Sequence, residues 1–192
     1  MPGHDEFRNK GVSYCALCDG ALFKNKVSAV VGGSDSAAKE ALVLARYCRK
    51  VYIIYRGEEI HPEPVNYERV KKESKIEIIT KTNVTKIIGD KFVTAVEIDI
   101  PYKGSKVLQL DGVFVSIGHI PNSDLAKPLG VKLDDKREIV IDRASRTNVP
   151  GVFAAGDVVD TEFKQAITGV GEIVSAVYSA YKYISEKPIH CT

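Results

Sequence analysis

Short apolar runs and helix-spaced apolar positions alternate along the first part of this chain. "VSAVV" at 27–31 is short, apolar and β-branched, as a buried parallel strand must be. A turn of small residues, "GGSDS" at 32–36, comes next. Ala38, Ala41, Leu42 and Ala45 then recur at helical spacing within 36–48. "VYIIY" at 51–55 reads as a second strand, "PVNYERVKKES" as a second helix and "IEIIT" as a third strand. This β–turn–α–β order, over about thirty residues, opens a doubly wound nucleotide fold.

The rhythm then changes. "NVTKIIGD", "KFVTAVEIDI" and "SKVLQL" predict an antiparallel meander with turns at Gly89-Asp90 and Lys103-Gly104. "GVFVSIG" at 112–118 is again a buried strand. After "GHIPN" the pattern resets. "EIVID" and "GVFAAGD" (151–157) read as strands, and "EFKQAITGVGEIVSAVYSAYKYI" as a long amphipathic helix interrupted by Gly169 and Gly171. This last segment has no glycine-rich strand–turn–helix of its own and is thin for an independent domain. The expected class is α/β: a Rossmann-like three-layer nucleotide-binding domain with an antiparallel β-meander, followed by an incomplete second α/β domain.

Composition narrows the function more than the fold. The 192 residues are 44% apolar and 27% charged, with a net charge of +2 and no stripe of Lys and Arg. Neither a nucleic-acid nor a membrane-surface partner is implied. The longest apolar runs are strand-length, too short to span a bilayer, and the leading "MPGHDEFRNK" is polar, unlike a secretory signal. The expected setting is cytoplasmic, where a Cys pair is more often catalytic or metal-binding than a permanent staple. Cys48 and Cys191 have no partner at metal spacing and read as packing thiols.

Two stretches carry candidate chemistry. "YCALCDG" at 14–20 holds Cys15 and Cys18, which could ligate a metal, carry electrons or simply pack. Zinc wants four ligands, and neither His4 nor His61 stands at matching spacing. "VVGGSDSAAKEA" is a dinucleotide fingerprint with one defect. Gly32 fits the tight-turn glycine and Ala37 the helix–strand packing position, but Ser34 stands where the backbone should approach a pyrophosphate. The Ser34 hydroxyl could donate to a phosphate or cap the helix, and the helix N-terminus still favours an anion. The competing reading is a plain strand-to-helix turn. After the second strand comes "YRGEEIHPEP", where Arg56, next to Tyr55, is the only Arg in reach of a 2′-phosphate. Glu58 and Glu59 would repel that phosphate, which favours NADH over NADPH; alternatively the acidic pair merely faces solvent.

"KGVSYCALCDG", "VVGGSDSA", "GVFVSIGHIPN", "GVFAAGDV" and "KQAIT", in this order, resemble the low-molecular-weight thioredoxin reductases. Those are two-domain flavoproteins in which an NAD(P)H domain bearing CxxC is inserted into an FAD domain. The resemblance runs from about Pro2 to the C-terminal helix. It implies thioredoxin-disulfide reductase chemistry, with electrons passing from NAD(P)H through FAD to Cys15–Cys18 and on to thioredoxin or a similar small dithiol protein. Cys18 would face the flavin, Cys15 would attack the partner disulfide, and Asp19 would be the acid. Gly32, Gly33, Ser34, Asp35, Ser36 and Ala37, with Tyr55 and Arg56, would hold the pyridine nucleotide. Gly156 and Asp157 would bind the FAD ribityl and pyrophosphate region, Lys164, Gln165 and Ala166 would meet the isoalloxazine, and Gly118 and Pro121 would form the exit hinge.

The resemblance also implies boundaries: an entry hinge and redox segment at 1–21, an NAD(P)H domain at 22–118, and the C-terminal part of an FAD domain at 119–192. Two departures qualify it. Gly57 and His61 stand where the family often has Arg, which again favours NADH. The family's leading FAD half, with its own GxGxxG, has no counterpart here. FAD would then lack part of its cradle, and the expected explanations are truncation at Met1, a separate chain supplying the missing half, or a homodimer. The alternative functions are a non-catalytic pyridine-nucleotide module and a partner-docking scaffold. The intact Cys-Ala-Leu-Cys-Asp speaks against the scaffold.

Overall fold

The computed structural model describes residues 1–186, so Cys191 lies outside the described residues. Two compact units result, Met1–Gly118 and one beginning at His119. In the first, the strands are β1 (Val12–Ser13), β2 (Val27–Val31), β3 (Lys50–Ile54), β4 (Ile76–Ile79), β5 (Val84–Gly89), β6 (Val93–Tyr102), β7 (Ser105–Gln109) and β8 (Gly112–Val115). Its helices are α1 (Ala16–Asp19), α2 (Asp35–Ala45) and α3 (Pro64–Lys72). Five strands pair in parallel in the order β1-β8-β2-β3-β4, and β5-β6-β7 form a separate antiparallel sheet.

Burial follows the two-residue period of the strands. Val30, Val51, Ile53 and Phe114 pack with Ala37, Ala41 and Leu44 of α2 and Val70 of α3 on one face. Ala29, Ile54 and Val113 pack with Ile87, Val96, Ile98 and Leu108 of the meander on the other. Both faces are covered, which is why "VSAVV" and "GVFV" show no polar alternation. The result is three layers, helices on parallel sheet on antiparallel sheet, as the pattern predicts. Each fully buried Val, Ile or Phe contributes roughly 1.5–3 kcal/mol of transfer free energy. The leading residues belong to this unit. Phe7 is buried in the meander-side core, Ile87 N–H donates to the Pro2 carbonyl, and β1 pairs with β8. The sequence reading did not anticipate β1, whose two residues are too few to show a period.

The second unit differs from its expectation. Neither "EIVID" nor "GVFAAGD" forms a regular strand. Ile139 makes single bridges to Leu133 and Val159, and Phe153 one to Arg146. The neighbouring amides turn to side chains instead. Glu138 N–H donates to Asp134, Ile141 N–H to Asp160, Arg146 N–H to Asp142 and Gly156 N–H to Glu172. Asp and Glu acceptors, local for Glu138 and Arg146 and distant in sequence for Ile141 and Gly156, compete with a ladder, and satisfied amides need no strand partner. A 3-10 turn at Asp124–Leu129 and a long helix, α4 (Ala166–Glu186), complete the unit around Ala126, Val131, Ile139 and Val159. Helix α4 runs through Gly169 and Gly171 without a break and exposes Ile167, Ile173, Val177 and Tyr181. Among the described residues, no helix is long and apolar enough to cross a membrane.

Candidate active site: a disulfide turn and a glycine-lined pocket

Cys15 and Cys18 are joined by a disulfide, with Cα atoms 5.3 Å apart. One turn of helix separates them. Cys15 is the N-cap of α1, and Cys18 N–H donates to Cys15 Sγ at 3.2 Å. The turn is anchored from both sides. Ser13, buried at the end of β1, donates its hydroxyl to Asp19 Oδ2 (2.7 Å) and accepts the Cys15 amide (3.2 Å). From α2, the Glu40 carboxylate accepts the Ala16 amide; burial pushes its pKa up to about 7, and that hydrogen bond only partly offsets the rise. Tyr14, Leu17 and Cys18 are exposed, so the disulfide stands on a rigid, accessible turn. Among the described residues, no group of three or more His, Cys, Asp or Glu side chains is placed to hold a metal ion.

Strand register builds the second feature. Val31 pairs with Ile54 and with Val115, and Ile54 with Ile79, so four carboxyl ends finish level. The loops leaving these strands therefore meet at one sheet edge, where doubly wound sheets bind ligands. Gly32, Gly33 and Ser34 come from β2; Tyr55, Arg56 and His61 from β3; Thr82 and Asn83 from β4; Ser116, Ile117 and Gly118 from β8. They line a cavity of about 480 Å³, within the usual range for small-molecule sites.

The glycines are sterically required. A Cβ on Gly32 would lie 2.2 Å from the Ser116 carbonyl oxygen, and one on Gly33 about 2.5 Å from the Tyr55 ring. Ala37 is fully buried, with its Cβ 3.2 Å from that virtual Gly32 Cβ, so α2 sits close on β2. Ser34 occupies the α2 N-cap, but its hydroxyl makes no cap hydrogen bond, contrary to one expectation. Its backbone bridges to His61, whose N–H donates to Gly33 O at 2.8 Å. With the main chain pinned on that side, the Ser34 hydroxyl is left to the pocket. Asp35 accepts from Glu63 N–H (2.9 Å) and Asn66 Nδ2 (2.7 Å) and pairs with Lys39, fastening the 61–66 segment to the turn. Burial alone would raise the Asp35 pKa; these partners outweigh it and leave a net lowering. Ser36 is exposed at the helix start. Two positions where only glycine fits, a helix N-terminus and the Arg56 guanidinium suit a phosphate-bearing ligand.

The family model for pyridine nucleotide-disulphide oxidoreductases matches residues 1–173. The chain belongs to that family. It is 41% identical over 186 residues to a thioredoxin reductase of Listeria innocua, covering 96% of this chain and 58% of the relative. It is 40% identical to an alkyl hydroperoxide reductase component of Staphylococcus epidermidis, covering 96% of this chain and 36% of the relative. The crystal structure of thioredoxin reductase from Streptococcus pyogenes superposes with a TM-score of 0.88 at 33% identity, over 97% of this chain and 61% of that one. The fold is that of the low-molecular-weight thioredoxin reductases, and this chain spans under two-thirds of their length.

As a member of this oxidoreductase family, the chain also carries the residues expected to touch FAD. Gly156 has φ +85°, and its amide is already taken by Glu172 Oε2 at 2.7 Å. Asp157 is exposed. Lys164 is turned inward, with Nζ 3.2 Å from the buried Glu138 carboxylate and donating to Val159 O. Gln165 and Ala166 lead into α4. Gly118 does line the pocket of the first unit, while Pro121 lies buried in the second.

Of the two expectations for the acidic pair, the structure fits the second: both side chains are exposed to solvent. Glu58 pairs with Lys81 at 3.0 Å and Glu59 accepts from Tyr67, and neither lines the pocket. His61 does line it, stacked edge-on to Tyr55 at 5.4 Å. Ser116, Thr82 and Asn83 were missed from sequence, although the strand-end rule could have found them. Glu40 was missed too. Its signal was an acidic residue among the alanines of a buried helix face.

Proposed function

We propose that this chain is the pyridine-nucleotide and dithiol part of a thioredoxin-reductase-like enzyme. In this reading electrons from NAD(P)H reach Cys15–Cys18 by way of FAD and leave to thioredoxin or a similar small dithiol protein. The observation that carries the reading is the bonded Cys15–Cys18 pair on an exposed turn, in the same unit as a glycine-lined pocket at the strand ends.

The proposed roles are these. Gly32, Gly33, Ser34 and the first turn of α2 hold the pyrophosphate, while Asp35 keeps the 61–66 wall in place. Ser36, Ala37, Tyr55, Arg56 and Gly118 complete the surroundings of the nucleotide. Cys15 attacks the partner disulfide and Cys18 resolves the mixed disulfide, because a second thiol three residues away needs no long search. Asp19, oriented by Ser13, holds the proton exchanged with the departing thiolate. FAD, when bound, supplies the two-electron link between nucleotide and disulfide. Gly156, Asp157, Lys164, Gln165 and Ala166 are proposed to lie beside it in the whole protein. NADH is the favoured donor: Arg56 is the one Arg or Lys among the residues lining the pocket, so a 2′-phosphate finds a single guanidinium. Dithiol cycling driven by a pyridine nucleotide belongs in a reducing compartment, so a cytoplasmic setting is part of the proposal.

A second reading, a nucleotide-binding module without turnover, is favoured by one observation: the Gly156 amide and the Lys164 ammonium are already held by Glu172 and Glu138. Peptide mapping after mild oxidation and after dithiothreitol tests the leading reading. Expected is the gain and loss of two alkylatable thiols, at Cys15 and Cys18. Thiols that stay free under oxidation, or stoichiometric bound zinc, would refute it.

A further inference from the structure

Glu40 sits on α2 among the buried Ala37, Ala38, Ala41 and Leu44. Its Oε2 is buried and has no hydrogen-bond partner among the described residues. Its carboxylate accepts the amide of Ala16, the first residue of α1, in the peptide that leaves Cys15. At the other end of that turn, Cys18 N–H points at Cys15 Sγ, 3.2 Å away. A neutral acceptor would satisfy the Ala16 amide without placing a carboxylate oxygen out of water. The carboxylate therefore does something that an amide side chain would not.

We propose that Glu40 is a positioning residue for the Cys15–Cys18 pair: it clamps the turn between the sulfurs through Ala16, and its charge opposes a thiolate on Cys15. The inference rests on the dithiol reading above and deepens it. Reduction by two glutathione molecules breaks the S–S bond and moves two electrons onto the sulfurs, while the two reagent thiols join as one disulfide. The reagent's two protons go to the two sulfurs, or to solvent from a sulfur that stays a thiolate. The Cys18 amide favours a thiolate on Cys15. Glu40, held against the adjoining peptide, disfavours it. The pair is thus set between two opposing terms, and Glu40 makes the reduced state costlier. Burial, which pushes the Glu40 pKa to about 7, brings its charge into play near neutral pH.

The other charged groups on the elements around α2 have assignments of their own. Asp19 on α1 takes the Ser13 hydroxyl, Lys39 pairs with Asp35, and Lys50 of β3 pairs with Glu77 of β4. On α3, Lys72 pairs with Glu68, Lys71 lies over the Tyr67 ring, and Arg69 is exposed. Neither β2 nor the 3-10 turn Gly20–Phe23 carries a charge.

The test uses the full chain with wild type, Glu40→Gln and Glu40→Asp, equilibrated with glutathione at about pH 8, where Glu40 is ionised. Gln keeps an acceptor for Ala16 and removes the charge; Asp keeps the charge. Glu40→Gln should move the equilibrium toward the reduced pair by about tenfold, about 30 mV for two electrons. Its more acidic thiol should titrate about one pH unit lower. Glu40→Asp should stay within about threefold of wild type. A Glu40→Gln protein that melts normally and matches wild type within about twofold overturns the inference, as does an Asp variant that behaves like Gln. If Glu40→Gln does not fold, wild type decides by carbon NMR of the Glu40 carboxyl. Linkage requires the carboxyl to hold its proton to higher pH in the reduced protein; identical titrations in the two redox states overturn the proposal. A wild-type pair that cannot be reduced overturns the dithiol reading and this inference together. A pair that cycles normally beside an unchanged Gln variant overturns this inference alone.

Discussion

Gly32→Ala strikes the point where fold and pocket share one constraint. Gly32 has φ +152°, a conformation that a Cβ disfavours, costing about 1–3 kcal/mol. The new methyl would also sit 2.2 Å from the Ser116 carbonyl oxygen. Neither partner can yield easily. Gly32 N–H donates to Ile54 O at 3.0 Å, and Ser116 N–H donates to Val31 O at 2.9 Å, so relief means breaking the ladder at the sheet edge. Overpacking of this kind costs a further ~1–3 kcal/mol. A total near 4 kcal/mol should lower the melting temperature of a unit this size by about 15 °C. Circular dichroism melting reads the stability, and NADH titration by calorimetry reads the pocket. Expected are both the lowered melting point and an NADH affinity reduced by at least about tenfold, about 1.4 kcal/mol. A variant that melts within about 3 °C of wild type and binds NADH equally well would refute the steric reasoning.

Other outcomes rest on the same geometry. Phe114→Ala empties a fully buried ring between β8 and α2 and should cost about 3–5 kcal/mol by urea denaturation; a loss below about 1 kcal/mol would contradict the packing described. Because the Glu40 pKa is raised from 4.5 to about 7 in the folded protein, the native state holds a proton that the unfolded chain releases. Stability should therefore fall as pH rises through that window and level off above it, and Glu40→Gln should flatten the slope. Calorimetry should find NADH bound more tightly than NADPH; a tenfold NADPH preference, about 1.4 kcal/mol, would show that Arg56 suffices for a 2′-phosphate. Hydrogen exchange should be slow in β2 and β3 and fast across 138–160, where single bridges and side-chain acceptors replace ladders.

The sequence by itself determined the order of elements from β2 to β8 in the first unit, because strands covered on both faces must be apolar throughout and "VSAVV" and "GVFV" are. It also revealed the meander turns, the Cys pair and the fingerprint glycine, each a local pattern with a local cause. Only the tertiary structure decided which strand ends meet. Inserting β8 between β1 and β2 is a long-range choice, and it alone carries Ser116 to Gly32. Tertiary contacts also decided where charges point: Glu58 and Glu59 were drawn to Lys81 and Tyr67, and Lys164 to the buried Glu138. The expected strands at 138–142 and 151–157 failed for the same reason. Strand propensity is realised only where a neighbour offers a ladder, and there the amides are divided between isolated backbone partners and side-chain carboxylates. Glu40 is the clearest case. On the helix it is one acidic letter among alanines, and only the packing of α1 on α2 places it against the peptide that leaves Cys15.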